Sequence, residues 1–114
     1  MIIYKIFRAD EWDTLVDKGM TFGTPVDLAD GYIHFSTAQQ VAATAEKYFA
    51  GEENLVIAAV DAEDFGDAMQ WEPAREGDLF PHLYRKLRLC DIMWHKKLPL
   101  DKDGKHLFPD GVLR

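Results

Sequence analysis

The chain has a single cysteine, Cys90, so no disulfide can close within it and no thiolate cluster can hold a metal. That usage fits a reducing compartment, and a cytoplasmic location is expected. Cys90 lies among alternating apolar neighbours and reads as a packed thiol rather than a reactive one. No run approaches the roughly 20 apolar residues that span a bilayer. The N-terminus meets Lys5 before the apolar core of an export signal can develop, so neither insertion nor export is expected. Gly-x-Gly-x-x-Gly and the Walker lysine are missing, which argues against a Rossmann dinucleotide site and a P-loop nucleotidase. The Gly-x-Ser-x-Gly elbow of an acyl hydrolase is missing too. The four histidines, at 34, 82, 95 and 106, include no helical pair with an acid in register, so no metal site is expected. Positive charge is scarce as well. With 13 Lys and Arg against 20 Asp and Glu, the net charge is -7 and the pI is near 4.9. Such a field repels a phosphate backbone, and Arg85 to Arg88 and His95 to Lys97 are too short to reverse it. Nucleic acid and membrane are therefore not expected partners, and the oligomeric state is left open.

What the chain does have is enough apolar substance for a core. At 114 residues, 47% of them hydrophobic, it is expected to form one domain over 1–114 and to bury roughly two-thirds of the surface it exposes when unfolded. Ile2 to Phe7 is rich in β-branched and aromatic residues and predicts a strand. Asp10 then suits a helix N-cap, Trp12, Leu15 and Val16 an apolar stripe, and Gly19 a stop. Residues 19–29 carry Gly, Pro and Asp without a period and predict a loop, leading into a strand over Gly31 to Ser36. Thr37 and Gln40 stand at capping-box spacing ahead of a second helix that carries Val41, Ala42, Ala45, Tyr48 and Phe49 and ends at Gly51. Leu55 to Val60 is a short, wholly apolar run and predicts a central strand covered on both faces. Ala62 to Met69 is turn-like, residues 72–79 predict an acidic loop over one end of the sheet, and Leu87 to Leu98 predicts one or two strands. Residues 99–114 predict an extended tail. Strands that do not alternate strictly with two main helices argue an α+β fold with a mixed or mainly antiparallel sheet.

Two clusters could carry chemistry. In Asp30-Gly31-Tyr32-Ile33-His34-Phe35-Ser36-Thr37, alternation along a strand points His34 and Ser36 one way and Ile33 and Phe35 the other. Hydroxyls at 36 and 37 then meet a helix N-terminus, where backbone donors and the dipole favour an anionic ligand. The structural alternative is that one hydroxyl caps the helix and His34 is a hydrogen-bonded histidine between layers. The second cluster is Trp71-Glu72 with Phe80-Pro81-His82-Leu83-Tyr84. Trp71 could desolvate Glu72 and raise its pKa toward general-base range. His82 in its apolar setting is either a site residue or a buried imidazole donating to a backbone carbonyl, and Tyr84 shares its face. A real site requires His34 and His82 to share one pocket with Ser36 or Thr37, and His95 and His106 to lie outside it.

These motifs, with Ile3-Tyr4-Lys5, Trp12 and Gln40, resemble the domain of unknown function 952 family over roughly residues 2 to 98. That family is distantly similar to the ADP-ribosyltransferase fold, an α+β architecture whose split antiparallel sheet holds NAD in a cleft. The resemblance implies ligand-binding roles for His34 and for Ser36 or Thr37, and a catalytic role for Glu72 or His82 at the reacting ribose; Trp71 beside Glu72 and Tyr84 on the face of His82 are the further ligand-binding candidates. It implies NAD or an ADP-ribose-like nucleotide as ligand or substrate, handled by a transferase-like enzyme or an inactive relative. The residues themselves equally allow a noncatalytic binding module for a small anionic metabolite or protein partner.

Overall fold

The apolar runs at the two ends of the first half of the chain become neighbouring strands. In the computed structural model, which describes residues 1–74 and 77–113, β1 (Ile2–Arg8) pairs antiparallel with β5 (Leu55–Asp61) along its whole length, Ile6 opposite Ile57. Between them the chain forms α1 (Ala9–Lys18), β2 (Met20–Thr21), α2 (Pro25–Asp30), β3 (Ile33–His34), β4 (Ser36–Thr37) and α3 (Val41–Phe49). After β5 come a 3-10 segment (Ala62–Ala68), β6 (Met69–Pro73), β7 (Leu79–Leu83), β8 (Leu87–Arg88), a 3-10 turn (Leu89–Asp91) and β9 (Trp94–Leu98). The strands form a four-stranded sheet in the order β4-β1-β5-β9, a three-stranded sheet β3-β7-β6 and the small pair β2-β8. Every pairing is antiparallel. No helix among the described residues is long and apolar enough to cross a membrane.

The larger sheet has apolar side chains on both faces, as the unbroken run of β5 requires. One face carries Ile3, Phe7, Ala58 and Val60 and packs on Trp12 and Leu15 of α1, Ile33, Phe35 and Phe65. The other carries Tyr4, Ile6, Ile57 and Ala59 and packs on Val41 and Ala45 of α3. Leu55 to Val60 is thus the central strand expected, with α3 on one face.

Several local expectations are corrected. α1 begins two residues early, with Arg8 rather than Asp10 as its N-cap and Asp10 in its first turn, where the carboxylate meets the positive end of the helix dipole. The loop over 19–29 contains β2 and α2. Thr24 accepts from Asp27 N, Asp27 Oδ2 accepts from Thr24 N at 2.9 Å, and Pro25 opens the helix, where its missing N–H costs nothing. The strand over 31–36 divides at Phe35: β3 pairs with β7 of the small sheet and β4 with β1 of the large one. Neither Ser36 nor Thr37 caps α3, whose N-cap is Gln40. Gln40 instead uses its Oε1 to accept from Thr37 N at 3.0 Å. Glu72 lies within β6 rather than in a loop, and of the loop expected over 72–79, residues 75 and 76 lie outside the described residues. The tail is folded rather than extended: Leu100 bridges to His106 and Val112 packs in the core at 1% exposure. Cys90 is exposed rather than packed, because the Leu89–Asp91 turn that carries it holds no buried residue.

Candidate functional site

Where the chain leaves one sheet for the other at Phe35, the two sheets part, and a cleft of about 470 Å³ opens between them beside α2 and α3. Its volume falls in the range of small-molecule sites, roughly 300 to 1,000 Å³. His34, Ser36 and His82 all line it. His34 and His82 are direct cross-strand partners in the β3–β7 pair, which brings their rings to 5.2 Å, edge to face. Tyr32 stacks on His82 at 4.1 Å with 25° between planes and lies 4.7 Å from His34.

The floor beneath His34 is a buried polar network that the sequence did not reveal. α2 turns a single buried residue inward, the carboxylate of Asp27, which is 1% exposed. Asp27 Oδ2 meets Lys5 Nζ at 2.9 Å, and Asp27 Oδ1 accepts from His34 N at 3.1 Å and faces His34 Nδ1 at 2.6 Å. Lys5 also donates to the His34 carbonyl at 2.9 Å. Burial alone would push the Asp27 carboxyl up, but the His34 hydrogen bond and the Lys5 charge outweigh it and hold the group well below the usual carboxylate range. His34 Nε2 lies 3.0 Å from Asp30 Oδ2, so both ring nitrogens have carboxylate partners. The network joins β1, α2 and β3 at the point where the sheets diverge. Ser36 shares a hydroxyl hydrogen bond of 2.9 Å with Thr44 on α3, closing the opposite wall.

The second cluster converges on Glu72. Its Oε1 receives the Tyr84 hydroxyl at 2.7 Å and lies 2.8 Å from His82 Nδ1. Hydrogen bonds from Tyr84 and His82 lower the Glu72 pKa, and the same bond pushes Tyr84 up to about 12. The expectation that Trp71 would raise Glu72 toward a general base is therefore reversed. Neighbouring residues on a strand point to opposite faces, and Trp71, 39% exposed, stands across the sheet from the carboxylate it was expected to shield. His82 is buried as expected but faces this carboxylate instead of a backbone carbonyl.

Of the candidate residues, His34, Ser36 and His82 thus share the cleft, with Glu72 and Tyr84 behind His82. Thr37 and Trp71 are not in the lining. His95 lies against Trp12, ring centroids 4.4 Å apart, and His106 Nε2 lies 3.0 Å from the Glu52 carbonyl, both away from the cleft. Lys5, Asp27 and Tyr32 are site residues that periodicity did not pick out. The one signal for Asp27 was Thr24-Pro25-x-Asp27, a helix start with an acid at its third position. Among the described residues, the lysine and arginine that line the cleft each have a carboxylate partner, Lys5 with Asp27 and Arg8 with Glu52, both at 2.9 Å.

The profile of the family described as Protein of unknown function (DUF952) matches residues 6–95. The crystal structure of protein CC0527 from Caulobacter crescentus is similar at 44% identity and a TM-score of 0.93, covering 98% of each chain. The solution structure of CC0527 is similar at 46% identity and a TM-score of 0.83, over 91% of this chain and 90% of that one. No curated protein matches the chain.

Proposed function

This chain belongs to the DUF952 family, and we propose that its cleft is a small-molecule site for NAD or an ADP-ribose-like nucleotide. The observation that carries the reading is the meeting of His34, His82 and Tyr32 in one cleft at the split between two antiparallel sheets. That is the kind of site the resemblance to ADP-ribosyltransferases implies, and the stacked aromatic surface suits a planar base or nicotinamide ring. Cleaving a nicotinamide glycosidic bond develops an oxocarbenium-like centre, which a fixed negative charge stabilises. Glu72 supplies such a charge, since its two donors keep it ionised, and in this reading its influence reaches the ligand through His82. The single cysteine supports a cytoplasmic setting.

A second reading, a binding module without catalysis, is favoured by one specific observation: Glu72 stands behind His82 rather than in the cleft lining. Titration of the protein with NAD, ADP-ribose and nicotinamide, followed by NMR shifts and by nicotinamide release, separates the two. Shifts at residues 32–36 and 80–82 with release of nicotinamide from NAD, lost in Glu72→Gln while binding persists, support the enzyme. The same shifts without release support the binding module. A folded protein with no shift at millimolar ligand refutes the nucleotide reading.

A further inference from the structure

We infer that the two cleft imidazoles divide their roles: His82 faces the ligand as a fixed hydrogen-bond acceptor at Nε2, with Glu72 and Tyr84 as its positioning residues, while His34 ties the cleft together. The inference rests on the reading of the cleft as a ligand site and names which group meets the ligand there.

His34 has no polar group left to offer. Its two ring nitrogens lie at 2.6 Å from Asp27 Oδ1 and 3.0 Å from Asp30 Oδ2, its N–H goes to Asp27 and its carbonyl receives Lys5. A ligand that approached this ring would first have to displace a carboxylate.

His82 is placed differently. It is 2% exposed and its Nδ1 faces Glu72 Oε1 at 2.8 Å. An ionised carboxylate only accepts hydrogen bonds, so Nδ1 carries the hydrogen, and a neutral imidazole protonated there presents a lone pair at Nε2. That nitrogen has no hydrogen-bond partner among the described residues. No fully buried side-chain nitrogen or oxygen among them lacks a partner, and the His82 ring lines the cleft, so Nε2 opens onto it. The ring is held from three sides, by the Tyr32 stack, by the edge-to-face contact with the His34 ring at 5.2 Å and by Glu72, while strand pairing to His34 and Gln70 fixes the backbone that carries it. Tyr84 fixes Glu72 in turn by donating to the same oxygen at 2.7 Å. The acceptor is therefore oriented before any ligand arrives, which lowers the ordering cost of binding.

This geometry selects for a ligand that brings an O–H or N–H to Nε2. A ribose hydroxyl or a carboxamide does so, whereas a phosphate oxygen without a proton does not. In an ADP-ribose-like ligand the nucleoside or amide end then lies against His82 and Tyr32, and the phosphates lie elsewhere.

Long-range proton–nitrogen NMR on the ligand-free protein reads the tautomer directly. His82 protonated at Nδ1 in the native chain, shifting to mainly Nε2-protonated in Glu72→Ala, is the expected result, with Tyr84→Phe moving the balance part of the way. On adding ADP-ribose, the His82 Nε2 signal is expected to move more than either His34 nitrogen, inorganic sulfate, an oxyanion with no proton to donate, to leave it in place, and Glu72→Ala to weaken binding about tenfold, the loss of one oriented hydrogen bond. A native His82 protonated at Nε2, or ligand-induced shifts at the His34 nitrogens with none at His82, overturns the inference. The tautomer is read without ligand, so failure of ADP-ribose to bind counts against the nucleotide reading, while the tautomer result stands or falls alone.

Discussion

Replacing Asp27 by asparagine tests whether the cleft is held by a charge or merely shaped around one. Asp27 is 1% exposed and Lys5 6%, so Asp27→Asn leaves the Lys5 ammonium buried, with the His34 carbonyl as a remaining hydrogen-bond acceptor and the Phe7 and Phe35 rings beside it. The new amide nitrogen, in the place of Oδ2, would also confront the two donors that now reach that oxygen, Lys5 Nζ and Thr24 N. Removing one member of a buried ion pair costs about 3 to 5 kcal/mol, a large share of the roughly 5 to 15 kcal/mol that a domain of this size has in total. The expected fall in Tm is roughly 10 to 20 °C. Urea and thermal unfolding at neutral pH measure it, and the double variant with Lys5→Met checks the cause: if the pair is the source, the double loses at least about 1 kcal/mol less than the two singles together. The same linkage fixes the pH dependence. Asp27 is held below the carboxylate value it has in the unfolded chain, so its contribution is complete above roughly pH 4 to 5 and fades as pH falls further toward its folded-state pKa. Native and Asp27→Asn stabilities should therefore converge in acid. A neutral-pH loss below about 1 kcal/mol, or additive single variants, refutes the argument that this network holds α2 to the sheet.

Two further outcomes follow from other parts of the fold. Site-resolved carbon NMR of the tyrosine rings should find Tyr84 titrating near 12 and returning toward the ordinary phenol value in Glu72→Gln; titration of Tyr84 at an ordinary value in the native chain would deny the hydrogen bond to Glu72. Ile57→Asp places a carboxylate at 0% exposure in the centre of β5 and should cost several kcal/mol, whereas Trp71→Ala, at an exposed position, should cost about 1 kcal/mol or less; equal melting of the two variants would mean that β5 is not central.

How far the fold was legible depends on whether a segment advertises itself by apolar pattern. β1 and β5 are strands because Ile2 to Phe7 and Leu55 to Val60 have the composition of strands covered by other layers, and α1 is a helix because Trp12 and Leu15 recur at its spacing before Gly19. α2 escaped the pattern for a physical reason. Its apolar residues Val26 and Leu28 are both 63% exposed while its one buried residue is an acid, so α2 has no apolar face turned to the core. Only the Thr24-Pro25 start and the acid at Asp27 betrayed it. Likewise the break at Phe35 leaves no mark on the alternation of Ile33, His34, Phe35 and Ser36. Alternation records which face a side chain takes, and that survives when a strand changes partners.

The same distinction explains the site. His34 and Ser36 were placed on one side by the period of two, and both do line the cleft; the pairing of His34 with His82 needed the register of β3 on β7, which no local pattern contains. The acids and glycine that follow Glu72 suggest a solvated loop, yet its own position in β6 puts it on the face where His82 and Tyr84 reach it. Once there, its pKa is set by donors rather than by burial. Trp71 beside it in sequence was a poor guide, since adjacent strand residues never share a face, while His82, distant in sequence, is its partner at 2.8 Å. The chemistry that the cleft can do therefore rests on contacts between segments, with Asp27 fixing one imidazole and Glu72 the other. The two carboxylates differ in consequence: Asp27 sits beneath the cleft and closes a network, whereas Glu72 leaves the far nitrogen of its imidazole open to whatever the cleft admits.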